Sequence, residues 1–319
     1  MTVRSQPWLS VIVPSHNGER WLGAALTSVV EQAQEGIEVI VVDSSESKKV
    51  QQIIDGFRGP LDIHFHSRPD LIGWTAKTNF GVSQATAEQI CMLHQDDLWL
   101  PDRCTALRRW LVDAPNAVMH LHPVYIVDES GRRLGQWRCP LPADGGPLPA
   151  DLLLERLLVQ EFVAVPAPTI SRKAFLAVGG MDEELLQTAD WDLYLKLARF
   201  GEVYYHSKLL ACFRIHKYSQ TVASSRNPSD YRTQLEAVFD RHCNLLTPRS
   251  REAVLPLAIA SINVNAALAA ANNGDLIAVA KALGSLVLLG PVGIWHYLCY
   301  SRLIERLFPR VKARLTGAF

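Results

Sequence analysis

The first hundred residues alternate between two kinds of hydrophobic pattern. Residues 9–13 form a short β-branched run closed by Pro14, and Ser15-His16-Asn17-Gly18 behind it has the composition of a turn. Over residues 19–30 the apolar side chains of Trp21, Leu22, Ala25, Leu26 and Val29 recur at helical spacing on one face. Residues 37–42 are a nearly unbroken apolar run ending in Asp43, the pattern of a parallel strand buried on both faces. A polar helix over 48–57, a strand at 61–65, a helix at 75–83 and a strand at 89–93 continue the alternation. This repetition predicts an α/β fold with a mostly parallel sheet, right-handed crossovers and flanking helices.

The pattern then changes. Pro101 suits the first turn of a helix running to about 112. Residues 117–140 read as β-structure with a turn at Glu129-Ser130-Gly131, and 140–149 as a Pro- and Gly-rich loop. A helix over 151–160, a strand end at 169–171 and a helix at 173–178 lead to a turn at Gly179-Gly180. Residues 190–200 are a well-patterned helix, with Trp191, Tyr194, Leu195 and Ala198 on one side. Residues 203–206 and 209–213 read as a final pair of strands. Beyond about 231 the pattern is all helix. The chain divides on this basis into an α/β region, 1–222, and an all-helical C-terminal region, 223–319.

Within the helical region, the alanine-rich stretch 253–285 is broken at Asn272-Asn273-Gly274-Asp275, and 282–301 contains no Asp, Glu, Lys or Arg. Pro291 divides that uncharged run in two. Arg302, Arg306, Arg310, Lys312 and Arg314 follow, with Leu303, Leu307 and Val311 between them. Two readings stay open: peripheral contact with an anionic membrane, or an appendage packed on the α/β region or on a second copy of the chain.

Composition narrows the field. The 32 basic and 32 acidic residues cancel, so no excess of Lys and Arg marks a nucleic-acid partner. Six scattered cysteines form no C-x-x-C pair, which points to reduced thiols in a cytoplasmic protein. The apolar stretch at residues 8–13 is too short for a signal-peptide core. No Walker A, G-x-G-x-x-G, H-E-x-x-H or G-x-S-x-G pattern occurs, against a P-loop NTPase, a dinucleotide enzyme, a zincin and an α/β-hydrolase.

Open α/β sheets bind ligands beyond the carboxyl ends of their strands. The polar residues gather at those ends: Ser15, His16 and Asn17 after the first strand, Asp43 after the second, and His94, Gln95, Asp96 and Asp97 after the fourth. Adjacent carboxylates behind a buried strand repel unless something offsets them, and a hard divalent cation such as magnesium or manganese does so. The plain alternative is a solvated loop with Asp97 capping the helix near Pro101. Asp43 has a turn-forming alternative, and Asp190, ahead of an amphipathic helix, an N-cap alternative. His216 reads equally as a ligand or as a structural histidine. Trp74 and Trp99 suit either ring stacking or core packing, and Lys77 and Arg68 either phosphate contacts or solvent.

Seven segments in order resemble a family 2 glycosyltransferase. Val11-Ile12-Val13-Pro14 with Ser15, His16 and Asn17 is similar to that family's opening strand and nucleotide loop, and Val41-Val42-Asp43-Ser44-Ser45 to its second strand. Asn79-Phe80-Gly81 resembles its segment near the diphosphate, and His94-Gln95-Asp96-Asp97 stands where the D-x-D metal motif belongs. Val178-Gly179-Gly180-Met181-Asp182-Glu183, Ala189-Asp190-Trp191-Asp192-Leu193 and Arg214-Ile215-His216 resemble the acceptor-side turn, the E-D-W-D-L segment and a late R-x-H segment. The resemblance covers roughly residues 8–221.

It implies a GT-A, Rossmann-like fold and inverting transfer of a sugar from a UDP- or dTDP-linked donor. The acceptor would be a sugar, a lipid-linked sugar, a polysaccharide or a protein, in bacterial polysaccharide or glycoconjugate synthesis, and the protein would be cytoplasmic, with a peripheral position at the inner face of the membrane as the alternative that the tail leaves open. Asp190 would be the base. Pro14, Ser15, His16, Asn17, Asp43, Asn79, Gln95, Asp96 and Asp97 would contact the donor. Asp96, with His216, would hold Mn2+ or Mg2+. Two positions depart from the family pattern: His94 replaces the first acid of D-x-D, and Ala189 replaces the acid before the base. A nucleotidyltransferase is one alternative, although Ser15-His16-Asn17-Gly18-Glu19-Arg20 is a poor match to the Gly-rich basic loop of such enzymes. A degenerate GT-A domain acting as a scaffold is the other.

Overall fold

The computed structural model describes residues 6–143, 145–217, 219, 228–270 and 275–315. The expected division at 222 and most of the Asn272-Asn273-Gly274-Asp275 break fall outside these residues. The apolar runs become strands. β1 (Leu9–Ser15) and β2 (Ile37–Asp43) are buried at every position, which is why their sequences do not alternate. They pair in parallel from Leu9 against Ile37 to Ser15 against Asp43, so the first two polar strand ends emerge side by side. β3 (Asp62–Ser67) and β4 (Gln89–Met92) flank this pair in parallel.

The sheet has seven strands in the order β10-β6-β9-β4-β1-β2-β3. β9 (Thr169–Ser171) lies antiparallel between β4 and β6 (Met119–Leu121), and β10 (Val203–Tyr205) closes the far edge. A second sheet has the order β5-β11-β7-β8, built from Leu98–Trp99, Ala211–Arg214, Val124–Val127 and Arg133–Trp137. Residues 203–206 and 209–213 therefore do not pair with each other as expected. β10 joins the large sheet and β11 the small one, because each finds a parallel partner there, β6 and β7 respectively.

Helices cover the large sheet. α1 (Leu22–Val30) buries Leu22, Ala25, Leu26 and Val29, as its periodicity predicts. α2 (Lys49–Asp55) follows β2, and α3 (Trp74–Gln84) follows β3. At Gly81 in α3 an added Cβ would lie 2.6 Å from Ile12 Cγ2, so only glycine lets this helix settle on β1. α4 (Arg103–Asp113), α5 (Ala150–Val159), α6 (Arg172–Ala177) and α7 (Ala189–Phe200) complete the α/β region.

Among the described residues five further helices follow: α8 (Pro228–His242), α9 (Pro248–Ala270), α10 (Leu276–Leu288), α11 (Gly290–Ser301) and α12 (Leu303–Leu315). Leu235, Val238, Phe239, Val254 and Leu257 from α8 and α9 join one apolar cluster with Leu154, Leu158, Trp191 and Tyr194. Each such side chain removed from water contributes about 1.5–3 kcal/mol, so the helical region is held on the α/β region by the same force that forms its core. α9 is long and apolar enough to cross a membrane, but 67% of its apolar window is buried inside the protein. α10 and α11 meet at a bend of 114°, where Gly290 takes a left-handed φ of +64° just before Pro291.

Candidate active site

A cleft of about 650 Å³ opens over the carboxyl ends of β1 and β4. Its strand-side wall begins at the loop after β1, where Asn17 takes a left-handed φ of +50°. The amide of Asn17 donates to Ser45 Oγ at 2.8 Å, and His16 Nδ1 lies 3.1 Å from Ser44 Oγ. Gln95 clamps the same loop from β4: its Oε1 accepts from His16 N at 2.8 Å, and its Nε2 donates to His16 O at 3.1 Å. A Cβ on Gly18 would lie 2.5 Å from that Oε1, so glycine is required beside the clamp. Lys77 reaches in from α3, with Nζ donating to Ser15 O at 2.8 Å and Ser44 Oγ at 2.9 Å. Burial lowers the Lys77 pKa to about 8, against the opposing pull of Asp43.

The loop after β4 carries the acidic group. Ligand atoms of His94, Asp96 and Asp97 lie within 4.8 Å of one another. Asp96 Oδ2 is 2.7 Å from His216 Nε2. Burial pushes the Asp96 carboxyl up, but the His216 hydrogen bond and the charges of His94 and His216 outweigh it and carry it below its usual range. Asp97 goes the other way: burial, then its neighbour Asp96, raise it well above the carboxylate range. Its Oδ1 accepts from Arg214 N at 2.9 Å, whereas Oδ2 has no partner among the described residues. His94 Nε2 is buried and likewise unpartnered among them, and burial holds this imidazole toward its neutral form. A neutral imidazole and two crowded carboxylates are a donor set suited to a divalent cation. The Arg214 side chain donates to the carbonyls of Asp96, Asp128 and Glu129 and so ties the small sheet to this loop.

The opposite wall is helical. Asp190 sits in the first turn of α7, where Oδ1 accepts from Trp191 N at 2.9 Å. Burial raises its pKa to about 6. Glu161, in the segment after α5, also lines the cleft, and burial followed by the charge of Asp190 raises its carboxyl well above the usual range. Gln160, Tyr231, Asn265, Arg306 and Arg310 complete the polar part of this wall.

Residues 10–164 match the family described as Glycosyl transferase family 2. This segment, just under half of the chain, is similar to that family. It is 26% identical over 192 residues to an uncharacterised glycosyltransferase of Haemophilus influenzae, a match covering 59% of this chain and 61% of that one. The chain thus spans less than two thirds of that relative. The Staphylococcus aureus protein TarS, residues 1–349, solved in complex with UDP-GlcNAc, superposes with a TM-score of 0.62 at 16% identity, over 87% of this chain and 79% of that one. Mannosyltransferase PcManGT from Pyrobaculum calidifontis, solved with GDP-Man and Mn2+, superposes at 0.55 and 18% identity, over 97% and 87%. The shared fold is the GT-A type.

Most residues singled out from the sequence meet in one place. Pro14, Ser15, His16, Asn17, Gln95, Asp96, Asp97, Asp190 and His216 all line the cleft. Asp43 and Asn79 are not among its lining residues. Asp43 is buried beneath it and accepts from Ser45 Oγ at 2.8 Å. Asn79 spends its amide on the Gly180 turn, donating to Met181 O and Glu183 Oε1 and accepting from Met181 N at 3.0 Å. Trp99 is core, Trp74 donates to Leu186 O and packs edge-on against His94, and Arg68 pairs with Asp70. Neither plain capping alternative holds: Thr188 rather than Asp190 occupies the N-cap of α7, and Asp97 caps no helix. Asp192 is a fully buried ion hub, with Lys196, Arg241 and His242 at 2.6, 2.9 and 2.8 Å. It pins α8 to α7.

The sequence reading missed Glu161, Gln160 and Asn265, and it left Arg306 and Arg310 between a packed helical appendage and a membrane surface without placing them in the cleft. The four-residue spacing of the two arginines does put them on one helix face. Nothing in sequence marks which way that face turns.

Proposed function

We propose that this protein is an inverting, metal-dependent glycosyltransferase that moves a sugar from a nucleotide-sugar donor to an acceptor hydroxyl. The observation that carries this reading is a single cleft joining the Asp96 group to Asp190, a carboxylate whose pKa of about 6 suits a base near neutral pH. The donor nucleotide takes the strand side, against the Ser15–Asn17 loop and Gln95. The complexes of TarS with UDP-GlcNAc and with UDP favour a UDP-linked donor.

The acceptor hydroxyl attacks the anomeric carbon from the helical side. A carbon–oxygen bond to the acceptor forms as the bond to the diphosphate breaks, and one displacement inverts the centre. Asp190 accepts the hydroxyl proton. Asp96, His94 and Asp97, with His216 bonded to Asp96, are the residues that would hold Mn2+ or Mg2+. Such a cation offsets the charge gathering on the departing diphosphate. Manganese in PcManGT supports this choice.

The enzyme works at the cytoplasmic face of the membrane, in polysaccharide or glycoconjugate synthesis. α10 and α11 expose Leu276, Ile277, Leu283, Val287, Leu288 and Val292, and Trp295 is 67% exposed beside them. An apolar face carrying a tryptophan is the chemistry of interfacial helices.

Calorimetry against UDP, GDP and dTDP, each with and without manganese, tests the donor side. One nucleotide is expected to bind more tightly with the metal, and Asp96→Ala is expected to abolish that metal dependence. Failure of all three to bind would refute the reading.

A further inference from the structure

α12 runs back over the cleft. A Cβ on Gly135 of β8 would lie 2.7 Å from Pro309 Cγ, so the helix rests directly on the small sheet. This seating turns Arg306 and Arg310, one helical turn apart, into the helical wall. Arg306 Nη2 donates to Asn265 Oδ1 at 3.2 Å, and its guanidinium lies 5.9 Å from the Trp137 ring centre. Its Nε and Nη1 are buried and have no hydrogen-bond partner among the described residues. Arg310 Nη1 donates to Arg306 O at 2.7 Å. Neither arginine forms an ion pair among the described residues.

Two guanidiniums so placed repel each other, and burying them unpaired is costly. Burial, then the charge of Arg306, lowers the Arg310 pKa to about 10. Glu161, which shares the cleft, does not offset them, because burial and Asp190 hold it toward its neutral form. Tyr231, Asp190, Glu161 and the two arginines line the same cleft. What complements such a pair is an anion with several oxygens, since guanidinium forks match phosphate geometry.

We propose that Arg306 and Arg310 form an acceptor subsite for a phosphate ester, so that the acceptor sugar is carried on a phosphate group. The inference rests on the proposal that Asp190 faces the acceptor. The phosphate belongs either to a lipid carrier or to a water-soluble sugar phosphate, and α12 reads it in the same way in both cases.

The test is calorimetry of the full chain with UDP and manganese present, using geranyl phosphate in nonionic detergent and glucose 1-phosphate as probes. One or both are expected to bind to the wild type, and the stronger of the two identifies the source. Arg306→Gln and Arg310→Gln should each weaken that binding about tenfold or more, as loss of charge-assisted hydrogen bonds does, with UDP affinity and melting temperature unchanged. Binding of neither probe, or equal binding by wild type and variants, would overturn the proposal. A matching loss of UDP affinity in a variant that melts normally would also overturn it, by assigning the pair to the donor diphosphate. Phosphate binding that depends on both arginines in a protein binding no nucleotide would support the subsite and remove the transferase reading instead.

Discussion

Replacing Asp190 by Asn separates the catalytic role of this residue from a structural one. The change keeps shape and keeps an oxygen to accept the Trp191 amide, but it removes the charge. Burial raises the carboxyl from its ordinary value of 3.8 to about 6, so the folded protein disfavours ionised Asp190. The sign follows from linkage. A carboxyl whose pKa is raised by folding stabilises the native state below the unfolded value, and that contribution is lost as pH rises through about 6. At pH 8 the ionised group therefore costs the native state up to about 3 kcal/mol, which Asn does not incur.

The variant should accordingly melt above the wild type at pH 8, with the gap closing as pH falls through 6 and vanishing near pH 4. Activity should move the opposite way. Release of nucleoside diphosphate from the donor should fall by about 10²–10⁴-fold, the usual contribution of a general base, while nucleotide affinity holds. Wild-type turnover should itself decline as pH drops through about 6. Paired thermal melts and turnover assays across pH 4–8 read both effects. A variant that is less stable at every pH, or that still turns over at the wild-type rate, would refute the reasoning.

Asp192→Ala should destabilise the protein by about 3 kcal/mol at neutral pH in denaturant unfolding, because it removes a fully buried carboxylate that holds buried His242 and the partly exposed Lys196 and Arg241. The hydrogen bonds and charges of His242 and Lys196 outweigh burial and depress the Asp192 pKa, so the stability it contributes is present above 3.8 and is lost as acid protonates it. Sedimentation with anionic vesicles should carry the wild type into the pellet, and Trp295→Ser with Leu288→Ser should return it to the supernatant. A soluble wild-type dimer that ignores vesicles would assign the exposed face of α10 and α11 to a second copy of the chain.

The donor side of the cleft was legible because it obeys local rules. Uninterrupted apolar runs gave β1 and β2, and the polar residues closing them had to emerge at the same sheet edge. Asp43 shows the limit of that logic: the register puts it beside Ser15, but two hydrogen bonds from Ser45 hold it beneath the cleft. Asn79 fails for a similar reason, since the Gly180 turn from 100 residues downstream consumes its amide. The helical side was legible only at Asp190. Glu161, Asn265 and Arg306 come together only through helix–helix packing, and amphipathic periodicity fixes a face without naming its neighbour.

The place of β9 in the large sheet bears on how the polypeptide reaches this state. Thr169–Ser171 is the spacer between β4 and β6, although it follows β6 by almost fifty residues. Until it arrives, β4 has a bare flank of amides and carbonyls along Gln89, Ile90 and Cys91, the last two buried in the finished protein. The segment that matches the family ends at residue 164, just short of this strand. A fragment trimmed to that segment would keep the nucleotide loop yet present an open, apolar strand edge, the kind that recruits other chains. The same exposure recurs during every refolding event, so aggregation should compete with folding until β9 is inserted, and additives that slow association should raise the recovered yield.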